Sequence, residues 1–226
     1  MQKAWKGVLL LGLLIPLLLS GTGCGNTSAN EGLITAVENG DSAAVQAMLE
    51  AGADVHATNK GGATALILAA AHGHTKIIQE LLNAGADLDA TDKTGVNALM
   101  AAAWKGQTAA VKALLDAGAD IHARVAKGQN RLLGMTPLMF AADGGHAKTV
   151  ESLLAADARV NRQDNLGYTA LTRAATAGSA ATVKTLIDSG ADIHIANNEG
   201  MTALAIAQRL DRTEIVDLLQ TVSAAN

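Results

Sequence analysis

Aromatic side chains are almost missing from this chain of 226 residues, which holds two Trp, one Tyr and one Phe. Nearly half of its residues are apolar even so, with alanine and then leucine carrying most of that fraction. Such a composition suits tightly packed helices, because small side chains let helix backbones come close together. Cysteine is limited to Cys24, so no intramolecular disulfide can form. A cationic excess is missing too. The formal net charge of −4 excludes the broad basic footprint that drives nucleic-acid binding. Long apolar runs are limited to Val8 to Leu19. That run falls short of the roughly 20 residues that span a bilayer as a helix, and Pro16 interrupts it.

Lys3 and Lys6 precede the apolar run, and Ser20-Gly21-Thr22-Gly23-Cys24 follows it. A positive start, an apolar middle and small residues form the pattern of a secretory signal. The segment resembles a bacterial lipoprotein signal, which implies acylation of Cys24 as the mature N-terminus. Gly21 departs from that family, which usually has Leu three residues before the cysteine. A plain signal cut after Ala29 is the competing reading, and a buried apolar helix of a cytosolic protein is the bland one. The expected division is a signal peptide over 1–23, a linker over 24–30 carrying Cys24, and a repeat domain over 31–226. Fully extended, the linker reaches at most about 25 Å, which would hold the repeats near a membrane surface.

What the chain has in quantity is a recurring tripeptide. Gly-Ala-Asp stands at Gly52, Gly85, Gly118 and Gly190, with intervals of 33, 33 and 72 residues. The last interval divides into 39 and 33 if a degenerate copy lies at Asp157-Ala158-Arg159. A fixed period of this size marks a repeat architecture. In the cleanest copy, Gly61 to Ala90, Thr64 can cap a helix carrying Leu66, Leu68, Ala69 and Ala70. Gly73 ends that helix, Ile77, Ile78, Leu81 and Leu82 line a second, and Gly85 ends the second in turn. Asn59-Lys60-Gly61-Gly62 reads as a turn between two short extended arms.

These residues resemble the ankyrin repeat, with its Thr-Pro-Leu-His-x-Ala signature and hairpin-plus-two-helix unit. The signature positions are Thr64-Ala65-Leu66, Asn97-Ala98-Leu99, Thr136-Pro137-Leu138, Thr169-Ala170-Leu171 and Thr202-Ala203-Leu204, and only the third keeps the proline. The resemblance implies an all-α repeat fold, an ankyrin-repeat solenoid of about six units, built as helix-turn-helix with β-hairpin tips. Atypical end units are expected: Gly32 to Ala57 lacks the front hairpin, and Asp211 replaces a turn glycine in the last. The fourth unit carries six extra residues between Ala123 and Gly134, in a stretch with three positive charges.

Chemical sites are sparse. His56, His122 and His194 recur behind Gly-Ala-Asp, and His74 and His146 follow turn glycines, so their spacing is structural and no metal site is assigned. The acidic residues follow the repeat instead of forming a catalytic pair, and no serine lies in a Gly-x-Ser-x-Gly elbow. Neither a catalytic residue nor a cofactor is expected, and the chain reads as no enzyme. The resemblance implies that a protein partner binds the concave face of first helices and tips. By register that face carries His72, Trp104, Lys105, Leu132, Leu133, Met135, Leu166, Tyr168 and Met201. Trp104 and Tyr168 stand out because aromatics are so few. The expected function is a protein-binding scaffold or stress-protective adaptor, exported to the bacterial periplasm or held at a membrane by lipid on Cys24. The alternative is an immunity protein that blocks a secreted toxic enzyme.

Overall fold

The computed structural model describes residues 27–127 and 130–225. Among them twelve α-helices run as six pairs. The first helices are α1 (Thr27–Glu38), α3 (Ala65–His72), α5 (Ala98–Trp104), α7 (Pro137–Asp143), α9 (Ala170–Ala177) and α11 (Ala203–Arg209). The second helices are α2 (Ser42–Glu50), α4 (Thr75–Asn83), α6 (Thr108–Asp116), α8 (Ala147–Ala155), α10 (Ala180–Asp188) and α12 (Thr213–Ala225). Each helix packs on its pair partner and on its counterpart in the next unit, giving two stacked layers. The signal-like segment and Cys24 lie outside the described residues. Thr27 to Asn30, expected as linker, are already helical, and Asn30 Oδ1 accepts from Asp54 N at 2.8 Å.

Capping explains where the first helices begin. Thr64, Asn97, Thr136, Thr169 and Thr202 each accept a hydrogen bond from the backbone three residues on. Pro137 occupies the first turn, where its missing N–H costs nothing. Behind the caps, Ala65, Ala69, Ala70, Ala98, Ala102, Ala103, Ala141 and Ala142 are sealed in the core, so neighbouring first helices meet closely.

Left-handed residues end the helices, as the period requires. Two of these slots hold no glycine: Asp157 has φ 66° and Asp211 has φ 55°. Aspartate tolerates that region better than most residues, and Asp157 locates the degenerate Gly-Ala-Asp copy. The aspartate of the motif itself closes a local turn. Asp54, Asp87, Asp120 and Asp192 accept from the backbone N–H two residues on at 2.8–2.9 Å. The N–H groups of His56, His122 and His194 are three of those donors.

From the second unit to the fifth, the residue after the inter-helix glycine reaches back to the preceding unit. His146 Nε2 lies 2.9 Å from the Trp104 carbonyl, Gln107 Nε2 donates to Ala71 at 3.4 Å, and Ser179 Oγ to Gly145 at 3.2 Å. His74 packs against Gly40, where any Cβ would sit 2.7 Å from the ring.

The expected β-hairpins are reduced to bare turns. Among the described residues the tips contain no strand, only an isolated bridge between Thr58 and Thr64. Asn59, Asp92, Asp164 and Asn197 do the holding instead. Each side chain accepts two backbone N–H groups of its own turn at 2.8–3.0 Å, taking donors that a strand ladder would otherwise use. In the fourth unit buried Val125 holds that place by main chain alone, donating to the Met135 carbonyl at 3.1 Å and accepting from Gly134 N at 2.9 Å. The insertion therefore begins after Val125 and ends before Gly134, which takes the left-handed place of Gly62 in the second unit.

Candidate partner-binding groove

Trp104 ends α5 and is 44% exposed. Phe140, in the middle of α7, is buried at 2%, and its ring lies 6.5 Å from that of Trp104, tilted by 56°. Such offset, tilted pairs are favourable between aromatic rings. Together with Ile67, Val96, Ala101 and Leu132 they line an apolar groove of about 370 Å³ between the first helices and the tips. Lys105, Arg131, Asp92 and Asp143 edge it, with the Lys105 ammonium 5.1 Å from the Trp104 ring centre.

Arg131 and Leu132 of the insertion form one side of this groove, three contacts of Arg124 fix the insertion's base, and one from Arg173 reaches the insertion itself. Arg124 donates from Nε to the Gly134 carbonyl at 3.0 Å and from Nη2 to Gln163 O at 3.2 Å and Asn165 Oδ1 at 3.4 Å. Arg173 Nη2 donates to the Arg131 carbonyl at 3.2 Å. On the other flank the Lys127 carbonyl lies over Gly95, which has φ +84° and no room for a Cβ. Asn130–Leu132 then make a single 3₁₀ turn that brings Leu132 toward Phe140.

One unit further on, the same face is filled. Arg173 occupies the register position of Leu68, Ala101, Phe140 and Ile206. Its guanidinium pairs with the fully buried carboxylate of Asp164, lies 3.9 Å from Asp143 Oδ1, and sits 4.6 Å from the Tyr168 ring centre. Tyr168 is thereby half-buried under a cation.

The residues expected on one binding strip separate into two sets. Trp104, Lys105 and Leu132 meet at the groove. His72 is exposed, bonded through Nδ1 to Leu68 O at 2.9 Å and stacked on His74. Leu133 is half-buried, and its carbonyl, like that of exposed Leu166, accepts the tip N–H of the next unit at 3.0 Å. Met135 is a correction: it is 1% exposed and belongs to the core. Met201 is half-buried and packs against that core. The cause is common to the column Ala63, Val96, Met135, Tyr168 and Met201. The carbonyl of each of the five accepts from the start of its turn, and the side chain faces inward just before the cap. Register placed Asp143 on this face but missed Phe140 and Arg131 as groove residues. The lone Phe and the mid-helix Arg173, each replacing a small or aliphatic residue at one register position, were the available signals.

A larger open groove of about 580 Å³ lies between α6 and α8, but it has no aromatic residue and balances Lys112 and Lys148 with Asp116 and Glu151. Among the described residues no three His, Cys, Asp or Glu side chains are grouped to hold a metal, and no helix is long and apolar enough to cross a membrane.

A family model for ankyrin repeats matches three times, over residues 33–125, 121–197 and 138–225. Among solved structures, similarity extends to a chain in the complex of the predatory endopeptidase Bd0816 from Bdellovibrio bacteriovorus with immunity protein Bd3460. The identity is 32%, covering 84% of this chain and 97% of that one, with a TM-score of 0.73. The ankyrin repeat domain of Bcl-3, of the IkappaB protein family, is also 32% identical, covering 83% of this chain and 81% of that one at a TM-score of 0.68. Among curated proteins no sequence matches.

Proposed function

The chain belongs to the ankyrin-repeat family, whose members act as protein-binding modules, and from that premise we propose that one partner protein seats over the groove beside Trp104. The observation that carries this reading is a solvent-facing indole at the mouth of an apolar groove, in a chain with four aromatic residues of these types. An exposed Trp beside an apolar cleft is the composition of a binding hot spot. Binding is noncovalent and adds no chemistry: an apolar partner side chain enters between Trp104 and Leu132, displacing water from both surfaces.

The finer reading places this module outside the cytoplasm, exported by the N-terminal signal and tethered through Cys24. There it acts as a scaffold or protective adaptor, or as an immunity protein that blocks a secreted toxic enzyme by covering it. Similarity to a chain of an endopeptidase–immunity protein complex favours the second version. Radiolabelled palmitate should mark the wild type and not Cys24→Ala; an unlabelled wild type removes the tether.

A photo-crosslinking side chain at position 104, compared with one at Gln79 on the second-helix layer, tests the groove. A single partner should be captured from 104 and not from 79. Equal capture at both positions, or none at 104, contradicts the reading. Stoichiometric loss of the captured partner's activity would mark an immunity protein, and unchanged activity a scaffold.

A further inference from the structure

The charge around the groove points to the partner's chemistry. Lys60 and Lys93 at the tips, Lys105 capping the end of α5, and Lys127 and Arg131 on the insertion are all exposed. Among the described residues none of the five has a carboxylate within 4 Å, whereas Lys76, Lys184 and Arg209 elsewhere are each paired. Lys93 Nζ donates instead to the Lys60 carbonyl at 2.8 Å, which holds the Lys93 ammonium against the adjoining tip.

The nearby carboxylates are already engaged. Asp92 Oδ1 accepts from Thr94 N at 2.8 Å, Thr94 Oγ1 at 2.6 Å and Val96 N at 3.0 Å, and Asp143 lies against Arg173. Five exposed cations against the two carboxylates of Asp92 and Asp143 leave a positive excess around the apolar groove of a chain whose net charge is −4. A partner that covered this rim without supplying anions would strip water from several cations for no return. The larger groove between α6 and α8 is lined by two cations, Lys112 and Lys148, and as many acids, Asp116 and Glu151.

Resting on the groove reading above, we propose that the partner segment is acidic: an apolar anchor residue enters beside Trp104, and flanking Asp or Glu side chains meet Lys93, Lys105 and Arg131. Charge complementarity of this kind speeds encounter and selects the partner, and it weakens as salt rises.

Three short peptides test this against the uniformly ¹⁵N-labelled full-length chain: Asp-Glu-Phe-Glu-Asp, Asp-Glu-Ala-Glu-Asp and Lys-Arg-Phe-Arg-Lys. The first should shift the Trp104 indole N–H signal saturably and bind about tenfold more weakly at high salt. It should bind more tightly than the alanine version, while the basic peptide leaves the signal in place. The Lys93→Glu/Arg131→Glu variant should keep a folded spectrum and lose the response. An equal or stronger response to the basic peptide overturns the acidic partner while leaving the groove intact as a binding site. Silence from all three peptides, or a shift indifferent to salt, also overturns it, and the crosslink at position 104 then decides the groove separately.

Discussion

Two neighbouring stretches of the first-helix face have the same backbone and opposite contents. In the third and fourth units, Phe140 and Trp104 line an open apolar groove. In the fifth, Arg173 stands in the position of Phe140 and plugs the face with an ion pair to Asp164. The tip residues are Asn59 with Leu68, Asp92 with Ala101, Asn197 with Ile206 and Asp164 with Arg173, so only the fifth unit sets a cation against its tip acid. The repeat thus supplies a fixed frame, and the residue at the Phe140 position, Arg173 in the fifth unit, fills the face there.

The largest expected effect lies on the groove side. Phe140→Ala should cost about 3–5 kcal/mol in urea unfolding, because the ring is buried and its removal leaves a cavity. A loss under about 1 kcal/mol would mean that the groove's inner wall is no part of the core.

On the filled side, Arg173→Ile should cost about 3 kcal/mol, since it leaves the Asp164 carboxylate buried without its cation. The double variant Arg173→Ile/Asp164→Asn copies the sixth unit and should recover most of that loss, as hydrophobic replacements of buried ion pairs often do. Failure to recover would show that the pair does more than fill the face, through its contact with the Arg131 carbonyl.

Gly95→Ala should cost about 1–2 kcal/mol for a side chain in the left-handed region. It should also change Trp104 fluorescence by pushing the Lys127 carbonyl, and the insertion with it, away from the groove. An unchanged emission spectrum would separate the insertion from the groove.

The frame was readable in the sequence because it rests on local backbone requirements. Threonine caps, left-handed slots and the Gly-Ala-Asp period each depend on a few adjacent residues, so even Asp157 and Asp211 could be placed before their φ angles were known. The tips were misjudged as strands because Asn59, Asp92, Asp164 and Asn197 compete for the same N–H groups, a contest that spacing does not reveal. Met135 was placed on the surface because register gives a position along the unit, not the direction of a side chain. Trp104 was legible as an oddity of composition. Its groove was not, since Leu132 joins Phe140 in the groove wall through a turn of the insertion that Arg173 holds at the Arg131 carbonyl.

The central claim is that Trp104 serves a partner and not the fold. Trp104→Ala should leave the thermal midpoint nearly unchanged, because the residue is 44% exposed. It should weaken affinity for the partner captured at position 104 by roughly 2 kcal/mol or more in calorimetric titration. A core-like fall in stability with affinity preserved would contradict the account.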